Sequence, residues 1–446
     1  LNRRPRSTRT VFFHVGVVPH MPDSLIDNQQ DFESLCEHIR EAGLVAFDSE
    51  FVSENSYNPE LCLMQFATED RCVAVDPLEI DDLSSWWNIM ADESITVVVH
   101  GGQAEIRFCL VEGGVKPNNL YDIQIAEAFR GRSYPLSYTN IVSRVLRKTL
   151  QGKETRTDWK RRPLLPKQAK YALEDVIHVL PIWKIQRADL ERRGRLTWAE
   201  DEFRHTIDGI ADDLASPGWM KLSGLHRLGR RELAVAREVY NWREKIARER
   251  NKPPRVILRD DLILELARRQ PKNESELLVT RDMEQSRFRR YLGEMVEAVR
   301  IARGLSESEL PERISSHRQD NSQDDHVIGK LLSLALANLC SERNIAMSMI
   351  ATNSTLREFV RWSLEGRPAA QVPELASGWR QEVCGNLLTE VLEGKISLRV
   401  ADPESDHPLV FERSDEHAEP AVNQVPNSRN QKKSSQKSRK PRSRNS

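Results

Sequence analysis

The sequence Leu44-Val-Ala-Phe-Asp-Ser-Glu50 joins a short apolar segment to two acidic residues. Because the side chains of a strand alternate between its two faces, this pattern predicts that Asp48 and Glu50 project from one face at the end of a strand over Leu44–Phe47. Two adjacent carboxylates repel each other unless a cation neutralises them. Hard oxygen ligands of this kind suit Mg²⁺ or Mn²⁺ rather than Zn²⁺. Such a pair is also common on protein surfaces, so other residues must decide whether it is a metal site.

Strand and helix patterns alternate around this segment through the first half of the chain. Further short aliphatic strands are predicted at Leu61–Ala67, Cys72–Val75 and Ile95–Val99, and helical spacing is found at Asp82–Met90, Gln103–Val111 and Leu136–Arg147. The early strands follow one another through short turns. The pattern therefore predicts an α/β domain whose mixed sheet begins as a β-meander.

Two polar segments, Ser216-Pro-Gly218 and Ser315–His326, divide the chain into three blocks. The second and third blocks show helical spacing throughout. In the second block an apolar stripe is formed by Val235, Val239, Trp242 and Ile246, and Asp260 or Asp261 is predicted to cap a helix over Leu262–Arg269. In the third block helices are predicted at Val327–Leu339, Leu356–Ser363 and Trp379–Leu392, with Gly394 as a stop signal.

These patterns give a domain map of six segments. It comprises an N-terminal extension at 1–22, the α/β domain at 23–215, a helical domain at 219–308, a polar linker at 309–326, a second helical domain at 327–413 and a disordered basic tail at 414–446.

Composition excludes several classes of protein. With 446 residues, 39% hydrophobic and 30% charged, the chain is neither collagen-like nor a coiled-coil rod nor wholly disordered. No apolar run approaches the ~18 residues of a membrane helix. The six cysteines are widely spaced, which favours a reducing compartment. The arginine-rich start and Val11–Val18 imitate a signal peptide, but His14 and Gly16 interrupt the apolar run. We therefore expect a soluble, cytoplasmic protein with no membrane partner.

The net charge of −1 conceals a strong asymmetry. Residues 427–446 contain eight basic residues and no acidic one, whereas the rest of the chain has 58 basic and 67 acidic residues. Such a segment forms no core, and it is either an arm that binds nucleic-acid phosphates or a solubilising tail. Its basic residues are Arg429, Lys432, Lys433, Lys437, Arg439, Lys440, Arg442 and Arg444.

Two further motifs contain acidic residues that could belong to the same site as Asp48. P-loop, dinucleotide-binding and zinc-protease motifs are absent from the sequence. In Tyr171-Ala-Leu-Glu-Asp175, helical spacing puts the phenol and the carboxylate on one face, although Tyr171 could equally be a core residue. In His100-Gly-Gly-Gln-Ala-Glu105, a glycine turn leads from a strand into a helix. Glu105 could simply be an acidic residue in the first turn of a helix, where the helix dipole favours negative charge, and His100 could be a turn residue.

Together these segments resemble the ribonuclease D family of tyrosine-containing DEDD exonucleases. Its three exonuclease motifs are similar to Phe47-Asp-Ser-Glu-Phe51, to His100 with Glu105, and to the segment from Arg156-Thr-Asp-Trp159 through Arg162, Gln168 and Tyr171 to Asp175. Tyr121-Asp-Ile-Gln-Ile-Ala126 resembles a further family segment, with Ile123 in place of threonine. Residues from Leu233 to Ala267 are similar to an HRDC domain, and Trp379-Arg380 with Gly394 to a more divergent second copy. The resemblance extends from about residue 23 to residue 412.

The resemblance implies a fold, an activity and a set of roles. The fold is a ribonuclease H-like mixed sheet with flanking helices, followed by two all-α HRDC-like bundles. The activity is 3′–5′ exoribonuclease cleavage that releases nucleoside 5′-monophosphates from the 3′ ends of structured RNA such as tRNA precursors. Two Mg²⁺ or Mn²⁺ ions would be held by Asp48, Glu50, Glu105 and Asp175, and Tyr171 would orient the attacking water. The family normally has aspartate where this chain has Glu105, which predicts reduced or retuned activity.

Two other functions fit the sequence. One is a DNA exonuclease of the same fold, because no residue can be shown to recognise a 2′-hydroxyl group. The other is an RNA-binding or scaffold protein with a decayed site, for which Glu105 is the only argument. Five arginines of the second block could bind nucleic acid or form a solvated face: Arg227, Arg230, Arg231, Arg243 and Arg248. The sequence does not give the oligomeric state.

Overall fold

A computed structural model of the chain describes residues 25–150, 157–314, 323–405 and 408–413. The predicted N-terminal extension, Arg156, residues 315–322 of the polar linker and the whole basic tail lie outside these ranges. Within them, no helix is long and apolar enough to cross a membrane.

The first block contains the mixed sheet that the sequence predicted. Its strands are β1 (Leu25–Ile26), β2 (Leu44–Val52), β3 (Glu60–Ala67), β4 (Cys72–Val75), β5 (Thr96–Val99) and β6 (Leu120–Asp122), in the spatial order β1-β4-β3-β2-β5-β6. The antiparallel pairs β2–β3 and β3–β4 form the β-meander, and β1, β5 and β6 each join in parallel. The prediction of a mixed sheet with a meander start is confirmed.

Eight helices cover the two faces of this sheet. They are α1 (Gln29–Ala42), α2 (Ser84–Ala91), α3 (Gln103–Val111), α4 (Ile123–Ala128), α5 (Tyr138–Leu146), α6 (Pro166–Ile177), α7 (Val179–Arg192) and α8 (Leu196–Ala215). On one face Phe47 packs against Phe66 and Trp86 in a core with α1 to α3. On the other face Ala46 packs in a core with α4 to α8. Because β2 alternates, Asp48 lies on the Ala46 face, where α6 packs against the sheet.

The second block is a helical domain with its own core. Its helices are α9 (Arg230–Glu249), α10 (Pro254–Ile257), α11 (Asp260–Arg269), α12 (Glu274–Leu278) and α13 (Leu292–Gly304), with 3₁₀ turns at Gly218–Lys221, Leu225–Arg227 and Ser286–Tyr291. The predicted apolar stripe of α9 is buried in this core. The predicted start of α11 is wrong, because the helix begins at Asp260 and neither aspartate is its N-cap. Both acids instead lie in the first turn, where the helix dipole favours negative charge.

The third block is helical except at its end. Its helices are α14 (Gln323–Arg343), α15 (Met347–Ile350), α16 (Asn353–Leu364), α17 (Gly378–Arg380) and α18 (Asn386–Leu392), with a 3₁₀ turn at Glu374–Ala376 and a π-helical turn at Gln381–Gly385. The prediction that this block is all helical is wrong for its last residues. There β7 (Ile396–Val400) and β8 (Leu409–Arg413) form an antiparallel hairpin. The alternation of apolar and polar residues in β7 is the period-two pattern of a strand.

The third block packs directly on the helices that cover the Ala46 face of the first block's sheet. The rings of Phe129 and Trp379 lie 4.9 Å apart, and both belong to the core that Ala46 shares. Glu202 of α8 accepts hydrogen bonds from Trp379 Nε1 at 3.2 Å and from Arg380 at 3.1 Å. Glu202 is only 7% exposed, so this acid joins the two blocks through a buried ion pair.

We predict that Glu202→Ala destabilises the joint core of the first and third blocks. The substitution leaves the Trp379 indole N–H without an acceptor and the Arg380 guanidinium without its buried carboxylate partner, which costs about 3–5 kcal/mol. Glu69→Ala is the control, because Glu69 pairs with Lys184 on the surface and should contribute at most about 1 kcal/mol. Urea unfolding followed by tryptophan fluorescence measures both values, and an equal effect of the two changes would contradict the role of Glu202.

Candidate active site

Asp48 and Glu50 lie at the end of β2, on the face that α6 covers. They are opposite Gln65 and Leu63 of β3, and the regular register of the two strands is interrupted directly after Glu50 by a β-bulge. Up to the bulge the side chains alternate, so both carboxylates project from the same face, as the sequence predicted. The bulge therefore shifts the pairing of β2 with β3 directly beside the two acids.

Helix α6 brings Tyr171 and Asp175 to the same place. The two residues are one helical turn apart, and the Tyr171 hydroxyl is close enough to the Asp175 carboxylate to oppose the rise of its pKa. The start of the helix is fixed by Gln168, whose side-chain oxygen accepts a hydrogen bond from the backbone N–H of Leu165 at 2.8 Å. The ring of Tyr171 also lies 6.4 Å from the buried ring of Trp159. Tyr171 is thus both packed and directed at an acid, and the two interpretations of this tyrosine are compatible.

The segment before α6 is anchored by Arg162. Its guanidinium forms a two-pronged ion pair with the buried Asp76 at the end of β4 and donates to the carbonyl oxygens of Cys62 at 2.7 Å and Trp159 at 2.8 Å. Arg162 therefore fixes the third motif to β3 and β4 and does not face the carboxylates of the site. Sequence reasoning did not identify Asp76, because its partner lies 86 residues away along the chain.

Glu105 occupies the first turn of α3 and is almost completely buried, with 4% of its surface exposed. Its carboxylate accepts a hydrogen bond of 2.5 Å from the hydroxyl of Ser49. Ser49 lies between Asp48 and Glu50 and points to the opposite face of β2. Glu105 therefore approaches β2 from the α3 side and is held there by a neutral hydrogen bond.

The glycine turn before α3 is held by Asp122. The carboxylate of Asp122 accepts hydrogen bonds from the backbone N–H groups of Gly101 at 2.9 Å and Gly102 at 3.1 Å, and it also caps α4. Gly101 has a φ of +64°, and a Cβ on Gly102 would lie 2.4 Å from Val99 Cγ2, so both positions require glycine. Sequence reasoning noted this segment but gave Asp122 no role. The available signal was an acid at the end of a strand that also caps a helix.

A cavity of about 160 Å³ opens between β2 and α6. Its polar lining is formed by Asp48, His100, Tyr138, Tyr171 and Asp175. His100 lies with Nε2 3.0 Å from the carbonyl oxygen of Leu136, and its ring meets that of Tyr138 edge to face at 5.6 Å. His100 is therefore a turn residue that forms one wall of the cavity.

The electrostatics of this region are dominated by negative charge that no basic side chain neutralises. Burial first, and then the neighbouring acids Glu105, Asp175 and Glu50, raise the pKa of Asp48 well above its ordinary value. Burial and the charges of Asp175 and Glu105 raise the pKa of Glu50 to about 8. Burial also raises the pKa values of Glu105 and Asp175 to about 7, although hydrogen bonds from Ser49 and Tyr171 oppose the change. Among the described residues none of the four acids forms an ion pair with Lys, Arg or His.

The donor chemistry fits a divalent cation, but the ligand arrangement is not closed. In the described ranges no group of three or more His, Cys, Asp or Glu side chains has the geometry to hold a metal ion as it stands. The hydrogen bond from Ser49 to Glu105 occupies a carboxylate oxygen that a cation would need. Buried oxygen ligands without a basic partner nevertheless favour a hard cation over any other neutralising group.

Comparison with known proteins agrees with this geometry. The family model described as a 3′–5′ exonuclease matches residues 24–191, and the model described as an HRDC domain matches residues 232–299. The crystal structure of Escherichia coli ribonuclease D, described as an exoribonuclease involved in structured RNA processing, superposes with a TM-score of 0.73 at 29% identity, covering 83% of this chain and 98% of that chain. Ribonuclease D of Bartonella henselae is 31% identical over 381 residues, which is 85% of this chain and 92% of that protein.

The fold and the site define a 3′–5′ exoribonuclease in which a nuclease domain precedes an HRDC domain. The chain belongs to the ribonuclease D family. This confirms the predicted fold class and activity, and the family implies dependence on divalent metal ions. The HRDC-like identity of the third block and the roles of the individual site residues stay predictions.

We predict that the metal-free protein loses stability as the pH rises. The raised pKa values of Glu50, Glu105 and Asp175, about 8, 7 and 7, mean that the folded chain binds more protons than the unfolded chain above the ordinary values of 4.5, 4.5 and 3.8. By linkage, the free energy of unfolding then decreases from about pH 4 to about pH 8.

Thermal unfolding in EDTA between these limits measures the effect. Glu50→Gln removes one of the titrating groups, so its melting temperature should fall less than that of the unmodified chain over the same pH range. An equal fall in both proteins would show that the pKa of Glu50 is not raised in the folded state.

Proposed function

We propose that this chain trims the 3′ ends of structured RNA, with tRNA precursors as the substrate class, in a reaction that requires two divalent ions, Mg²⁺ or Mn²⁺. The observation that supports it is that Asp48, Asp175 and Tyr171 line one cavity, in a chain of the ribonuclease D family, with Glu50 close enough for the charge of Asp175 to raise its pKa. The Escherichia coli relative acts in structured RNA processing, which supports RNA over DNA as the substrate. We place the reaction in the cytoplasm, because the cysteines are all free and buried.

In this proposal Asp48, Glu50 and Asp175 hold the cations, and Glu105 supplies further negative charge from the α3 side. When bound, divalent ions lower the pKa of water and stabilise the charge that develops on the leaving 3′ oxygen. The acids are arranged for that neutralisation, because without a cation the charges of Glu105 and Asp175 raise the pKa values of Asp48 and Glu50.

Tyr171 acts as an orienting group and not as a base. Burial and the adjacent Asp175 raise the pKa of its hydroxyl above the ordinary value of 10, so the phenol stays protonated at neutral pH. A protonated phenol at the cavity wall can donate one hydrogen bond and accept another, which fixes the direction of a water molecule that attacks phosphorus. The product would be a nucleoside 5′-monophosphate.

Outside the described residues, the basic tail is proposed to contact the RNA backbone. The eight Lys and Arg residues between Arg429 and Arg444 would neutralise phosphates regardless of sequence. They would increase affinity without taking part in the cleavage step.

The proposal is tested with a 5′-labelled RNA hairpin that has a single-stranded 3′ extension, and with its DNA counterpart. We expect a ladder of products that differ by one nucleotide on RNA, in Mg²⁺ or Mn²⁺, and no products in EDTA. A ladder on DNA but not on RNA would identify a DNA exonuclease. Binding without cleavage under any metal would identify a decayed site.

Each of the changes Asp48→Asn, Glu50→Gln and Asp175→Asn should lower the rate of this cleavage by at least about 10²-fold, because each removes a ligand charge from the site. Glu174→Gln is the matched control, since Glu174 is adjacent to Asp175 in sequence but faces Lys170 on the surface. Retained activity in any of the first three would show that the residue is misassigned.

Tyr171→Phe should lower kcat by about 10- to 100-fold with little change in KM, because orientation of the water matters mainly in the transition state. Steady-state kinetics on the RNA hairpin separate the two constants. An increase in KM with kcat unchanged would mean that Tyr171 binds substrate and does not orient water.

Glu105 is the position where this chain departs from its family. Glu105→Gln should reduce activity sharply, whereas Glu105→Asp should preserve or raise it, because the charge near the cations matters more than the exact length of the side chain. The unmodified chain should be more active with Mn²⁺, whose coordination is looser than that of Mg²⁺. Cleavage rates of the three proteins in both metals test this prediction. Full activity of the Gln variant would show that Glu105 is only a charge of the helix start.

A further inference from the structure

A glutamine lies inside the nuclease sheet without a hydrogen-bond partner. Strand β3 is apolar from Leu61 to Ala67 except for Gln65, which is completely buried. Within the part of the chain that the structure describes, neither Oε1 nor Nε2 of Gln65 forms a hydrogen bond. A buried amide without a partner costs free energy, and native structures seldom keep one. The amide of Gln65 therefore requires a reason other than the stability of the sheet.

The neighbours of Gln65 in the sheet show which group its amide can serve. The register places Gln65 directly opposite Asp48 of β2 on one side and opposite Ala74 of β4 on the other. Directly opposite residues of an antiparallel pair project from the same face, with Cβ atoms about 4.5–5.5 Å apart. Diagonal neighbours such as Glu50 lie farther away, at about 7–8 Å. Of the two direct neighbours, only Asp48 has a side chain that can pair with the amide.

Helix α6, which packs on β2, β3 and β4, offers the amide no alternative partner among its buried side chains. Four of these side chains are apolar: Ala169, Ala172, Leu173 and Val176. The fifth, Gln168, already forms hydrogen bonds with backbone groups of Leu165 and Asp158. Gln65 is also not part of the cavity lining, whereas Asp48 is. Gln65 therefore lies behind Asp48, where it can contact the ligand of the site but not the RNA.

We propose that Gln65 is a positioning residue, whose Nε2 donates a hydrogen bond to the Asp48 carboxylate when this carboxylate holds a divalent cation. The inference rests on the proposed function, because it takes Asp48 to be a metal ligand. A carboxylate that binds a cation keeps further acceptor positions, and a fixed donor at one of them orients the ligand. The terminal torsion of a glutamine side chain is broad, so the amide can turn toward Asp48 without a change in the backbone.

This role gives the amide opposite effects in the two states of the protein. In the metal-free protein an apolar side chain of the same size would be more stable at position 65, because no buried polar group would lack a partner. In the metal-bound protein the same replacement would leave Asp48 without the donor that orients it. A residue with a purely structural role would not affect the stability and the metal affinity in opposite directions.

The test compares the unmodified full-length chain with two variants. Gln65→Met removes the amide and keeps an unbranched side chain of similar length. Thr280→Val is the matched control, because Thr280 is also completely buried and its hydroxyl has no hydrogen-bond partner among the described residues. Both substitutions remove one unpaired polar group from a core. Only Gln65 is next to Asp48, since Thr280 belongs to the second block.

Two measurements without RNA give the result. In EDTA, scanning calorimetry should show melting temperatures higher by about 1–4 °C for both variants, because each loses a buried polar group that has no partner. Mn²⁺ binding, followed by the electron paramagnetic resonance signal of the free ion, should be about 10- to 100-fold weaker for Gln65→Met and unchanged for Thr280→Val. The rate at which Gln65→Met cleaves the RNA hairpin should recover when the Mn²⁺ concentration is raised by the same factor.

Equal Mn²⁺ affinity of Gln65→Met and the unmodified chain would overturn the proposal. A lower melting temperature of Gln65→Met in EDTA would also overturn it, because the amide would then have a stabilising partner in the metal-free protein. Failure of the proposed function is detected separately. An unmodified chain that binds Mn²⁺ but does not cleave RNA refutes the function, and the binding comparison still decides the role of Gln65. An unmodified chain that binds no Mn²⁺ refutes both.

Discussion

One buried carboxylate, that of Glu105, and three half-buried ones surround the end of β2, and among the described residues no basic side chain neutralises them. Asp48, Glu50, Glu105 and Asp175 each have a raised pKa chiefly because burial opposes ionisation, and repulsion from the other site acids adds to the effect for Asp48 and Glu50. Isolated charges of this kind are among the most costly groups to bury. The fold tolerates them only because the surrounding elements fix their positions and because divalent cations can take the place of the missing basic residues.

Several residues that the family motifs contain serve to hold this arrangement and not to perform chemistry. Arg162 fixes the third motif to the sheet through Asp76, and Asp122 fixes the glycine turn that starts the helix of Glu105. Gln168 fixes the start of the helix with Tyr171 and Asp175. A site that must place charge to within a fraction of an ångström depends on such supports as much as on its ligands. Motif matching alone does not separate the two kinds of residue.

The two helical blocks are attached to the nuclease in different ways. The third block shares a hydrophobic core with the nuclease through Trp379, and the buried acid Glu202 joins the two by hydrogen bonds. The second block has its own core and meets the nuclease through polar contacts of the Tyr57 loop. Polar contacts of limited extent are typical of domains that adjust their relative position.

The sequence alone predicted those parts of this protein that have a local periodic pattern. The alternation in Leu44–Glu50 gave the strand and the common face of its acids, the helical spacing gave Tyr171 and Asp175, and the apolar stripe of α9 gave the helical domain, because each pattern is complete within a few neighbouring residues. Other contacts depend on residues 56 or more positions apart, as in the hydrogen bond between Ser49 and Glu105 and the ion pair between Arg162 and Asp76. Whether an arginine has an acidic partner also depends on which turns lie next to it in space. Only the tertiary structure decided them, because a charged side chain gives the same local signal whether its partner is a distant carboxylate, a backbone carbonyl or a phosphate.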